Sequence, residues 1–274
     1  MDYLSHIDKS EFFNEYWNKK PYKFRSNMDI FIPNNPILHI LKSNIEFPQF
    51  RIVERGGSIN PFLYTRSNTK GLSQVIDQEK FNNLNLQGKT VKVLEIWRFF
   101  DEFESLKNWF LNYFPNSTIT INGYFSYQDS LGASEHYDFY HIFAHQIEGV
   151  KKWKLGSMVE DNPVYEFGHK KIKSKQVFHE IETQAGDVLY IPPGVWHDVS
   201  TEFYSSHIAI GVNRQRVYEF INKSIKELAQ TNSSLRADLP CLTLDNAKVN
   251  VSSISEMDSV FEMIKVYMNY KYND

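Results

Sequence analysis

The chain has 274 residues, 42% hydrophobic and 15% aromatic, with 21 Phe and 16 Tyr; that is enough for a sizeable core in one or two domains and favours β-rich packing with aromatic-lined pockets. Its formal net charge of −3 and pI near 6.3 give no global basic bias towards nucleic acid. A single cysteine, Cys241, excludes an intramolecular disulfide, the polar N-terminus shows no signal peptide, and no apolar run approaches a membrane span, so a reducing, cytoplasmic setting is expected.

In chain order, residues 8–18 read as a helix. Asp8 and Glu11 fit a capping box, and Phe12, Phe13, Tyr16 and Trp17 form an apolar stripe suited to a core. Pro21 stops it. A short helix is expected at 36–42, a strand at 49–54 and a turn at Gly56-Gly57. Residues 58–70 look irregular and polar-aromatic, as a pocket rim would. A strand follows at 90–96 and an amphipathic helix at 101–114, ended by Pro115. Strands then dominate from 118 to 212, which predicts a mainly β molecule with flanking α, a double-stranded β-helix or jelly roll. Beyond Arg214 the period turns helical: Val217, Phe220, Ile221, Ser224, Ile225 and Leu228 share one stripe. A last helix is expected at 255–270, with Val260, Ile264, Tyr267 and Met268 apolar. The expected parts are an α/β cover (1–117) packing on the barrel, the barrel core (118–213) and a helical segment (214–274). The two C-terminal helices either cover the barrel or pair across a two-fold homodimer.

The chemistry concentrates between Ser134 and His197. In a strand, positions i and i+2 share a face, so His136 and Asp138 project together if they sit on one. His197 follows a well-marked strand, with Gly186-Asp187 before Val188 to Ile191 and Pro192-Pro193-Gly194 after it. Two imidazoles and one carboxylate on one ion leave coordination positions open, as in non-haem Fe(II) oxygenases; Mn(II) and Zn(II) stay open on the same ligands. Alternation in 150–155 sends Lys151, Trp153 and Leu155 inward. A buried ammonium needs an anion, either a substrate carboxylate or a structural Asp or Glu. Asn122, Tyr124 and Ser126 share a face that is either solvated or lines an anion pocket. His141 and His145 are spare metal candidates better suited to structural roles. The charged stretch 161–182, with His169 and His179, reads as hairpins and loop near the mouth.

Together, His136-Tyr137-Asp138, Phe143, Gln146, Glu148-Gly149, Lys151, Trp153 and the segment from Gly186 to His197 resemble the JmjC-type cupins, in particular the ribosomal-oxygenase (cupin-4) branch of the 2-oxoglutarate oxygenases. The resemblance covers residues 118–213, and the opening with Phe12-Phe13, Tyr16-Trp17 and Lys19-Lys20-Pro21 is also similar. It implies Fe(II) on His136, Asp138 and His197, the far carboxylate of 2-oxoglutarate on Lys151, Asn122 and Tyr124 beside that cosubstrate, and His207 near it. It implies O2 as co-reactant and hydroxylation of an unactivated C–H of an amino-acid side chain in a peptide or protein. A free amino acid or natural-product precursor is the alternative substrate. A non-oxygenase metal-binding cupin is the alternative function, and a JmjC-like demethylase or RNA hydroxylase is a third. The segment after Arg214 is expected to be too short for both the dimerisation helices and the winged-helix domain of the ribosomal oxygenases, which sets a ribosomal-protein substrate apart from the rest of the resemblance.

Overall fold

The computed structural model describes residues 2–236 apart from 29, 31–34, 69, 70, 72, 133 and 172–175, and beyond 236 only Glu262, Lys265 and Val266. The helix expected at 255–270 therefore lies almost wholly outside the described residues. Two units are distinct, Met1–Arg214 and Gln215–Asp274.

The first unit carries thirteen strands: β1 (Tyr22–Arg25), β2 (Phe50–Glu54), β3 (Gly57–Ser58), β4 (Thr65–Ser67), β5 (Gln74–Ile76), β6 (Lys89–Val93), β7 (Ser117–Ser126), β8 (His141–Glu148), β9 (Val150–Met158), β10 (His179–Gln184), β11 (Asp187–Ile191), β12 (Val195–Ser200) and β13 (Ser205–Arg214). Eight form one sheet in the order β1-β11-β8-β13-β7-β6-β2-β3, and β10-β9-β12 form a second. All the pairings are antiparallel. Several neighbours in the large sheet, such as β1 with β11, β8 with β13 and β13 with β7, are distant in sequence, as in a jelly roll.

Burial explains the long apolar runs. On β8, β11 and β13, Ile142, Ala144, Leu189, Ile191 and Ala209 face the small sheet, where Trp153, Leu155 and Val195 meet them. The alternate residues Phe143, Val188, Tyr190, Ile208, Ile210 and Val212 face the opposite way, into the main core. A sheet covered on both faces reads as continuous hydrophobicity, not as alternation.

The outer cover comes from the N-terminal part. The helix Asp101–Tyr113 buries Phe103, Leu106 and Phe110, the spacing of one helical face. Residues 8–18 depart from the expected α-helix. A single turn, Lys9–Glu11, is capped by the Asp8 side chain and continues as a wider turn, Phe12–Tyr16, in which the Trp17 N–H donates to the Phe12 carbonyl. The wider turn lets Trp17 stack on His141 at 3.8 Å and Phe12 meet Tyr190 at 5.0 Å; tertiary packing outweighs local propensity here.

Residues 58–70 differ too. They contain a short turn, Pro61–Leu63, and strand β4, paired with β5. None of the described residues in this stretch lines the cavity described below. Between 161 and 178, the described residues hold one short helical turn, Tyr165–Phe167, and no hairpin. In the second unit the helix Val217–Thr231 is capped where the Arg216 N–H donates to Glu219 Oε2 at 2.7 Å. Among the described residues, no helix is long and apolar enough to cross a membrane.

Candidate metal and cosubstrate site

A cavity opens between the two sheets. His136, Asp138 and His197 line it, with Asn122, Tyr124, Lys151 and His207.

The three expected ligands converge, but not as a strand pair. His136 makes only an isolated bridge and Asp138 lies in irregular chain, so the expected i, i+2 strand geometry is corrected. Cross-chain bonds place them instead. The His136 N–H donates to the His197 carbonyl at 3.1 Å, and the His197 N–H donates back at 2.8 Å. The Gly194 N–H donates to the Asp138 carbonyl at 2.9 Å. Gly194 has φ +80°, and a Cβ there would lie 1.9 Å from the Glu160 carbonyl oxygen; only glycine fits this turn. Gly56 is equally tight against Ser134, whose carbonyl anchors His136.

The donor atoms are oriented before any ion is considered. Nδ1 of His136 lies 2.7 Å from the Ser134 carbonyl, and Nδ1 of His197 lies 3.1 Å from the Val195 carbonyl. A carbonyl only accepts, so both Nδ1 atoms carry the proton and both Nε2 lone pairs are free. Those Nε2 atoms lie 3.9 and 3.6 Å from the two Asp138 carboxylate oxygens. One ligand atom from each residue falls within 4.8 Å of the others. Burial, then the neighbouring His136, hold the His197 pKa down at about 4, so its imidazole is neutral at pH 7, as a ligand must be. Two imidazoles and one carboxylate, with no thiolate and one side open to the cavity, fit a divalent ion of the Fe(II) or Mn(II) type.

Lys151 points inward from β9 with 2% of its surface exposed. Its Nζ donates to Ser126 Oγ at 2.8 Å, and Ser126 is tied to Thr90 Oγ1 at 2.9 Å. No carboxylate among the described residues pairs with it, and burial depresses its pKa to about 7. Trp153 beside it is fixed by its Nε1–H donating to Thr183 Oγ1 at 3.0 Å. Tyr124 stacks on His207 at 4.6 Å with 7° between planes. The Nδ1 of His207 is buried with no hydrogen-bond partner among the described residues. Asn122 is half committed to structure, because its Oδ1 accepts the Glu95 N–H at 3.1 Å; its amide donors remain.

His141 and His145 stay out of the site. They face the main core, bonded through Nδ1 to the hydroxyls of Tyr190 at 2.9 Å and Tyr3 at 3.0 Å. His169 packs at the flank of the H-x-D segment, 3.0 Å from the Tyr137 carbonyl and 4.2 Å from the Phe139 ring. Among the lining residues not singled out from sequence are the polar Thr90 and Lys92 of β6. The polar alternation Thr90, Lys92 was there to read, but nothing local says which sheet β6 joins.

Residues 92–220 match the family model for the JmjC domain. That stretch of the chain is JmjC-like. Over 134 residues the chain is 32% identical to the bifunctional lysine-specific demethylase and histidyl-hydroxylase NO66 of Drosophila grimshawi, covering 44% of this chain and 18% of the relative. Ribosomal oxygenase 2 of Mus musculus is 23% identical over 89% of this chain and 55% of its own length. The chain thus spans at most about half the length of these curated relatives. The solved structure of YcfD, a ribosomal oxygenase from Escherichia coli, superposes with a TM-score of 0.61 at 20% identity, over 98% of this chain and 68% of that one; YcfD has also been solved with cobalt and 2-oxoglutarate. The JmjC-like stretch is therefore ribosomal-oxygenase-like in sequence and jelly-roll in fold.

Proposed function

We propose that the protein is an Fe(II)- and 2-oxoglutarate-dependent oxygenase that hydroxylates an unactivated C–H of an amino-acid side chain in a peptide or protein. The observation that carries this is one cavity holding both the His136, Asp138, His197 triad and a buried ammonium without a carboxylate. An ammonium in a buried site is costly unless an anion completes it, and a dicarboxylate such as 2-oxoglutarate would supply one. The names of the relatives and the cobalt and 2-oxoglutarate complex of YcfD support the same chemistry.

The chain's own tasks follow from its geometry. His136 and His197 present Nε2 lone pairs, and with the Asp138 carboxylate they would hold Fe(II). Lys151 grips the far carboxylate of 2-oxoglutarate, with Ser126 and Thr90 fixing its direction. Tyr124, Asn122, His207 and Trp153 line the cavity and would wall the cosubstrate. Bound Fe(II) with 2-oxoglutarate and O2 supplies the oxidising power, converting 2-oxoglutarate to succinate and carbon dioxide.

Purified protein with Fe(II), ascorbate and 2-oxoglutarate should release succinate. His136→Ala and Asp138→Ala should abolish this and metal binding while circular dichroism stays native; loss of the fold instead would make these residues structural. Lys151→Ala should raise the 2-oxoglutarate requirement on the order of ten- to a hundredfold, the worth of a charged hydrogen-bonded pair. An unchanged requirement would remove Lys151 from the cosubstrate site.

A further inference from the structure

The cavity holds a second cation that the cosubstrate reading does not use. Lys92 lines it from β6, and its Cα partner across the sheet is Tyr124. Its Nζ sits 5.0 Å from the centre of the Tyr124 ring, on the wall facing the small sheet. The next strand places Arg51 directly opposite Lys92 in register. Neither side chain forms an ion pair among the described residues, and the Nε of Arg51 is buried with no hydrogen-bond partner there. Burial and the Arg51 charge both depress the Lys92 pKa, and only the carboxylate of Asp138 opposes them. With Asp138 committed to an ion, that compensation is lost. Two like charges, both half-buried and side by side at the cavity wall, are then left with no carboxylate partner among the described residues, and an anion would relieve them.

Lys151 approaches from the small sheet and takes its hydrogen bond at Ser126; Lys92 comes from β6 of the large sheet, in register with Tyr124, two residues before Ser126 on β7. The two ammonium groups enter one cavity from different strands, and both bear on the buried His207.

We propose that Lys92, backed by Arg51, recognises a carboxylate of the substrate, so that the enzyme acts on or beside an acidic amino acid. This rests on the oxygenase reading, under which the substrate is an amino-acid side chain; among amino acids, the anion that meets an ammonium is the carboxylate of Asp, Glu or a chain end. Lys92 is thus a specificity-determining residue.

The test uses the full chain loaded with Mn(II) and saturated with 2-oxoglutarate, titrated calorimetrically. The probes are N-acetylated tripeptide amides with Asp, Glu, Asn, Gln, Arg or phosphoserine in the centre, and free aspartate and glutamate. Binding of Asp or Glu peptides, or of the free acids, at least tenfold tighter than that of the amide and Arg peptides is expected; peptide against free acid then tells which source the site takes. Lys92→Gln should erase this preference and Lys92→Arg should restore most of it, while affinity for 2-oxoglutarate, measured first, changes less than threefold. Equal binding of amide and acid peptides overturns the proposal, as does preference for phosphoserine or saturable binding of none. A fall in 2-oxoglutarate affinity in Lys92→Gln matching that in Lys151→Ala also overturns it, making Lys92 a second cosubstrate anchor. Failure of the oxygenase reading itself shows elsewhere, as no loss of 2-oxoglutarate affinity in Lys151→Ala.

Discussion

A lysine with 2% of its surface exposed and a pKa pulled to about 7 by burial weakens the ligand-free protein. Below pH about 7 the folded chain bears the full cost of burying the charge. Between about 7 and the ordinary value of 10.5 the folded chain has released the proton and the unfolded chain still holds it, so stability climbs with pH. Lys151→Met should therefore melt higher than the native chain at pH 6, with the gap closing as pH rises from about 7 towards 10, by scanning calorimetry without ligand. A gap that does not vary with pH would place the cost elsewhere. In the presence of Mn(II), 2-oxoglutarate should raise the melting temperature of the same variant less than that of the native chain. Function and stability pull in opposite directions at this one side chain.

At the scale of elements, the site depends on turns and on a clamp from outside the barrel. Gly194→Ala should destabilise by at least about 2 kcal/mol and also weaken Mn(II) binding, because the turn it deforms holds Asp138 and leads into β12 and His197; native metal affinity would mean the turn relaxes without moving the ligands. Tyr190 on β11 accepts the Asn18 N–H at 2.8 Å and shares a hydrogen bond with His141 at 2.9 Å. Tyr190→Phe removes both and should cost about 1–3 kcal/mol in urea unfolding, with metal affinity unchanged since these bonds lie on the face away from the cavity. Much of this architecture could be read from the chain. Alternation of period two placed Lys151 and Trp153 inward on β9, and Asn122, Tyr124 and Ser126 on one face of β7, because both features are local. What could not be read was non-local. Thr90 and Lys92 join the site only through the register of β6 with β7. The wide turn at Phe12–Tyr16 is shaped by Trp17 packing on His141. Residues 58–70 look like a rim in composition but spend their polar groups on their own pairing, as where Thr65 Oγ1 donates to the Pro61 carbonyl at 2.8 Å.

At the scale of the molecule, every residue lining the cavity falls between Thr90 and Gly211, all within the unit Met1–Arg214. Ending the chain after Arg214 should leave Mn(II) and 2-oxoglutarate affinity near native by calorimetry. If the amphipathic helix Val217–Thr231 serves two-fold pairing, the shortened chain should also elute at half the mass of the full one on size exclusion with light scattering; equal behaviour as monomers would discard that role. The backbone rung joining His136 to His197 in both directions has a kinetic corollary. The two imidazoles ride on one hinge-free crosspiece, so neither swings away while the other stays. Uptake of an ion is then limited by stripping its hydration water, not by assembling the chain around it, and a chelated sample should accept fresh metal at once, without refolding.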